Sequence, residues 1–180
     1  MFSKTVDGIE MDLWNLDPAI VTVPHIANVL ARINRYAGHW VNPISVARHC
    51  LCVTDALKKR DYPVGVQLQG LFHDASEAYT QDIPSPLKDS LWIQPPGPEP
   101  RMRYSAFEFD LLSRIYTKLM IPWPIHPAVW FEDKATYEKE LPIIRGQVRP
   151  PYGNDPDTAS IVFINRARAL MHECGVPFVD

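Results

Sequence analysis

The sequence predicts an all-α fold, a single compact helical bundle. Apolar residues recur at spacings of three and four, no long run alternates apolar with polar, and the 18 prolines of the 180 residues punctuate the chain. The length suits one domain with one core, spanning 1–180.

The periodic stretches give the elements in order. Ile26, Val29, Leu30 and Ile33 share a face after Pro24. Val46, Cys50, Val53 and Leu57 do so in the next helix, for which Asn42-Pro43 is the expected cap and first turn, and Lys58, Lys59 and Arg60 suit its C-terminal dipole. Val64, Leu68, Leu71, Phe72 and Ala75 form a third stripe, and Phe107, Leu111, Ile115 and Leu119 a fourth. Trp130, Asp133 and Tyr137 lie on a fifth helix opened by His126-Pro127, with the aromatic side expected to face inward. Ala159, Val162, Phe163, Arg166 and Leu170 mark a last helix stopped by Gly175. Residues 94–100, with four prolines, cannot be helical and read as a surface loop, and 149–153 read as a second break.

A net charge of −3 excludes an electrostatic footprint for long DNA or RNA but not for a single nucleotide. No run reaches the length of a membrane span, and the N-terminus lacks the apolar core of a signal peptide. Three cysteines (Cys50, Cys52 and Cys174) read as reduced thiols. The expected location is the cytoplasm, or the host cytoplasm if the source is viral.

The chemistry centres on His73-Asp74, set in an apolar stripe where an unpaired carboxylate would be costly to bury. On a continuous helix Glu77, four residues after His73 and three after Asp74, would share their face. Asp82 follows just outside the helix. His49 lies three after Val46 and four before Val53, and Asp133 three after Trp130 and four before Tyr137. Two histidines and two aspartates thus point inward from three helices, as bundles build metal sites. Such ligands suit a divalent ion such as Zn, Co, Mn, Fe or Ni. Taken singly, each residue reads equally as a core histidine or a solvated acid; it is the wider string HDASEAYTQDIPSPLK, residues 73–88, that carries weight. Cys50 and Cys52 read as core fillers, because C-x-C on a helix points the thiols to different faces.

That string resembles the HD superfamily of metal-dependent phosphohydrolases, especially the bacterial 5′-deoxynucleotidases and the small HD hydrolases of phages and bacteria. The family's H…HD…D ligands fall on His49, His73, Asp74 and Asp133. Its HDASE element is met by residues 73–77, and the acidic residue with a PxPxK turn by Asp82 to Lys88. The SVAxHS pattern is met by Ser45-Val46-Ala47-Arg48-His49-Cys50, and the INRW- or GGH-like element by residues 33–39, INRYAGH. Glu140 follows Asp133 by seven residues, as in the family's last motif. The resemblance runs from about residue 20 to 170. Tyr36 stands for tryptophan and Ala37 for the first glycine, departures that bear on base or sugar preference and not on the metal; Glu132 also stands for the alanine before the last ligand position.

The resemblance implies a catalytic set of Arg35, Glu77 and Asp82. Arg35 would hold phosphate through its planar fork. Glu77 would act as general acid or base or hold the attacking water, and Asp82 would face the sugar. His39, Tyr36 and Lys88 are further substrate-binding candidates. Tyr36, Trp40 and Tyr152 are aromatics able to stack on a base, Trp40 reading more readily as core. An additional Mg held by Glu77 and Asp82 is an option for a triphosphate. The implied substrate is a small nucleotide, a dNMP or a dNTP, with dATP or dAMP among the candidates, and the assembly a homo-oligomer. Hydrolysis of a signalling nucleotide and a non-catalytic nucleotide-sensing module are the alternatives. A helical di-metal oxidoreductase would need repeated Glu-x-x-His pairs, which the chain lacks.

Overall fold

The computed structural model describes residues 2–4, 10–39, 41–147 and 155–180, and it is all-α. The helices are α1 (Val23–Leu30), α2 (Val46–Lys59), α3 (Val64–Phe72), α4 (Glu77–Thr80), α5 (Ser85–Lys88), α6 (Tyr104–Leu119), α7 (Pro127–Ile144) and α8 (Pro156–Cys174). Two small antiparallel pairs accompany them, β1 (Phe2–Lys4) with β2 (Glu10–Asp12) and β3 (Trp92–Ile93) with β4 (Met102–Arg103). Among the described residues no helix is long and apolar enough to cross a membrane.

The centre of the bundle is α2, which packs against α3, α7 and α8, while α1 lies on α8 and α4. Its expected stripe of Val46, Cys50, Val53 and Leu57 is fully buried. A Cβ on Gly70 would come within 2.4 Å of Leu57 Cδ1, so glycine is what lets α3 approach α2 this closely. Phe72 meets Phe163 of α8 edge-on at 5.3 Å. The last helix begins at its Asp155 cap, whose side chain accepts from Thr158 N–H, and ends at Gly175 in the left-handed conformation (φ 68°).

Three expectations change. The cap of α2 is Ser45, whose hydroxyl accepts from Arg48 N–H, rather than Asn42-Pro43; the Asn42 amide instead donates to the Ile143 carbonyl, against the end of α7. The third helix stops short of Ala75, which is fully buried all the same: α3 ends at Phe72, and residues 73–76 are turns bridged by i→i+3 bonds such as Glu77 N–H to Asp74 C=O (3.0 Å) before α4 begins. The surface loop expected at 94–100 is present, as the tip of the β3–β4 hairpin. On α7 it is Val129, Glu132, Thr136 and Glu140 that are buried, whereas Trp130 and Tyr137 are 43% and 42% exposed. Their stripe is rotated by one residue from the packed face, which leaves Asp133 at the boundary between core and solvent. The break expected at 149–153, with Tyr152, and Trp40 lie outside the described residues.

Candidate metal centre

Three parts of the chain bring the histidines and aspartates together. His49 sits in the first half of α2 and has no exposed side-chain surface. His73 and Asp74 follow the end of α3, and Asp133 comes from α7. His49, His73 and Asp74 each offer a ligand atom, all within 4.8 Å of one another, a cluster able to hold a metal ion. Asp133 joins it, with Oδ1 2.9 Å from His49 Nε2 and 3.8 Å from His73 Nε2. Asp74 Oδ2 lies 3.3 Å from His73 Nε2 and 3.8 Å from His49 Nε2.

The imidazoles are oriented from behind. His73 Nδ1 is 2.8 Å from the Gly70 carbonyl, which only accepts, so Nδ1 carries a proton. His73 Nε2 is then a buried atom with no hydrogen-bond partner, directed at the two aspartates. His49 Nδ1 meets Glu140 Oε1 at 2.7 Å. An imidazole whose far nitrogen donates to a carbonyl or carboxylate presents its other lone pair to a metal, and such partners fix ring orientation. The donor set therefore fits a divalent ion: two imidazole nitrogens and two carboxylates, one nitrogen orphaned.

The charges agree. Burial raises the Asp74 carboxyl, but the neighbouring His73, His49 and Arg35 outweigh it and hold it well below the usual range. Burial likewise raises Asp133, and the neighbouring His49 and His73 bring it down. Burial lowers His73, yet Asp74 and the surrounding acids raise it well above its ordinary value. Two firmly ionised carboxylates thus create a demand for positive charge that a proton or a metal ion can meet, and the two compete for one site.

A cavity of about 250 Å³ opens beside this cluster, lined by His73, Asp74 and Asp133 and by Arg35, Glu77, Asp82 and Lys88. Arg35 reaches it because its backbone is tied to the start of α2: Arg35 N–H donates to the Ile44 carbonyl and Val46 N–H to that of Ile33. Its guanidinium lies 3.4 Å from Glu140 and 3.6 Å from Asp74. Burial would lower its affinity for its proton, but Glu140 and Asp74 more than restore it, so the cation persists. Glu77 is buried, with Oε2 unpartnered; burial, then the charges of Asp74 and Asp82, push it well above the usual carboxylate range against the pull of Lys88. Lys88 lies 3.7 Å from Glu77 and pairs with Glu108 at 2.8 Å.

A second cavity, of about 290 Å³, shares Arg35 and Asp82 with the first and adds Tyr36, Tyr137, Pro84 and Pro86. Tyr36 and Ala37 adopt left-handed conformations (φ 59° and 53°), which costs a non-glycine residue of order 1 kcal/mol. Contacts at both ends of Tyr36 hold the turn, its N–H on Asp82 Oδ2 (3.2 Å) and its hydroxyl on Glu140 Oε2 (2.9 Å). Glu140 thus touches His49, Arg35 and Tyr36 at once.

Of the predicted site residues, His49, His73, Asp74 and Asp133 converge, and Arg35, Glu77, Asp82 and Lys88 line the cavity beside them. Tyr36 lines the second cavity, and exposed His39 lines neither. The turn at Tyr36-Ala37-Gly38, left-handed throughout, redirects the chain before His39. Glu108 had no sequence signal, being one acid among the polar positions of α6, and Glu140 had only its spacing from Asp133. The cysteines are free; burial pushes Cys50 up to about 11, as suits a core-filling thiol, and Cys52, expected in the core but only half-buried, up to about 12.

No family model matches the chain. It is 36% identical over 87 residues to a protein of Escherichia coli described as "Uncharacterized protein YfdR". The stretch covers 48% of this chain and 46% of that relative, so the chain matches about half the length of the curated relative.

Proposed function

We propose that this chain is an HD-type, metal-dependent phosphohydrolase acting on nucleotides, of the dNMP or dNTP class. The observation that carries the reading is the pair of back-oriented imidazoles, whose Nε2 atoms meet Asp74 and Asp133 at the edge of a cavity that also holds Arg35, Glu77 and Lys88. Five carboxylates line that cavity against two permanent cations, so a phosphate enters it favourably only when divalent charge is present.

His49, His73, Asp74 and Asp133 would hold the ion. When bound, a divalent ion makes a water nucleophile available at neutral pH and draws charge from a phosphoryl oxygen. The chain's own residues do the rest. The Arg35 fork takes two non-bridging oxygens and stabilises the charge that grows on them during attack. Glu77, inclined to keep its proton, gives it to the departing oxygen or hands it on through water. Asp82, tied to the Tyr36 backbone, accepts from a sugar hydroxyl. The second cavity, with Tyr36, Tyr137 and two prolines, offers ring faces and apolar walls for a base. A simple phosphate ester would leave that cavity unused, which is why a nucleotide is favoured over a sugar phosphate.

The test is chromatography of products from a panel of dNMPs, NMPs and dNTPs with Mn, Co, Zn or Mg, and with chelator as control. Nucleoside or triphosphate release that chelator abolishes is expected. Silence on the whole panel with every metal would overturn the reading and move attention to signalling nucleotides or nucleotide sensing.

A further inference from the structure

Lys88 is the second cation of the cavity, yet the segment that carries it has little packing of its own. Helix α5 has no buried residue, and Leu87, next to Lys88, is 53% exposed. Only Ile83 and Leu91, at either side of the segment, rest on the core. The Lys88 side chain itself is only 20% exposed, but the helix that carries it is unpacked and gives the ammonium little fixed reference. A four-carbon stem left free would sweep a wide arc and, with Glu77 at 3.7 Å, would fall onto that carboxylate.

Glu108 stands on a different kind of element. Its helix, α6, runs sixteen residues and buries Tyr104, Phe107, Leu111, Leu112 and Ile115. Both Glu108 oxygens contact Lys88 Nζ, at 2.9 Å and 2.8 Å, and its side chain is only 15% exposed. Two further bonds hang the segment from the same end of α6: the Arg103 guanidinium donates to the Asp89 carbonyl (3.0 Å), and Tyr104 N–H to the Leu91 carbonyl (3.1 Å). An ammonium has three donors, so two contacts to Glu108 leave one for the cavity.

We infer that Glu108 is a positioning residue: it clamps Lys88 to the rigid α6 helix, holds the ammonium at 3.7 Å from Glu77 rather than in closer contact, and so makes a phosphate-binding donor of a cation on a loosely packed segment. The inference rests on the phosphohydrolase reading for the identity of the anion. It assigns a place in the site to a helix that supplies no metal ligand.

The experiment is calorimetric titration of Mn-loaded protein with inorganic phosphate, for wild type, Lys88→Met, Glu108→Gln and the double variant, with metal content and melting temperature measured on each. Glu108→Gln is near-isosteric and is expected to keep the fold and the metal. Each single variant should weaken phosphate about tenfold, the effect of one lost charge-assisted contact, and the double variant should bind no more weakly than Lys88→Met. Wild-type affinity in Glu108→Gln, or losses that multiply in the double variant, would overturn the clamp. A wild type that hydrolyses no nucleotide but binds phosphate with this coupling removes the activity and keeps the clamp. A wild type that hydrolyses nucleotides with KM unmoved in Glu108→Gln does the reverse.

Discussion

The wall of the cavity that holds His73 and Asp74, with buried His49 beside them, comes from the bundle's interior, whereas residues 82–91, which form another wall, include no buried residue. On the first wall each imidazole is locked by packing on one side and by a carbonyl or carboxylate on its far nitrogen. On the second, Asp82 is tied to the Tyr36 backbone and Lys88 to the carboxylates of Glu108 and Glu77. The contrast teaches where precision is built in. Under the proposed function, groups that would share an ion must be placed to within fractions of an ångström, and they sit on or directly beside packed helices. Groups that would meet a substrate are carried on a segment that can yield to it.

The sharpest break of this comparison is Asp74→Ala, which removes one proposed metal ligand from the rigid wall. Metal content and activity should vanish together while the helical circular dichroism persists; an active, metal-free variant would dissolve the distinction. Next comes Arg35→Ala, expected to lower turnover about 10²- to 10³-fold with the metal retained, as for loss of one preorganised donor to the transition state. Glu140→Gln, behind the first wall, should weaken metal affinity about 10- to 100-fold by loosening His49, read by competition with a chelator. At the small end, Leu87→Ser on the second wall should change stability by less than about 0.5 kcal/mol in urea denaturation, because its side chain already meets water. A large loss there would mean the segment is packed after all.

The same contrast governs what could be read from the sequence. Buried helices write their faces into apolar spacing, so the stripes of α2, α6 and α8 were legible. His126-Pro127 opens α7 as expected, with the His126 ring accepting from Ala128 N–H. The end of α3 was not legible, because residues 73–76 carry neither glycine nor proline and their i→i+3 winding keeps His73, Asp74 and Glu77 near one another without a continuous helix. Periodicity could place single histidines on inward faces but could not say that three separated segments meet; the motif resemblance supplied that expectation. The second wall was the harder part. An acidic residue on an amphipathic helix looks the same whether it meets water or clamps a lysine, so Glu108 left no mark, and two-residue strands such as β3 and β4 are too short for alternation to show.

The most direct test of the account is a crystal grown with Mn and examined by anomalous scattering. The account predicts one peak within about 2.0–2.3 Å of His49 Nε2, His73 Nε2 and oxygens of Asp74 and Asp133. No peak there, or an ion held by other residues, would contradict it.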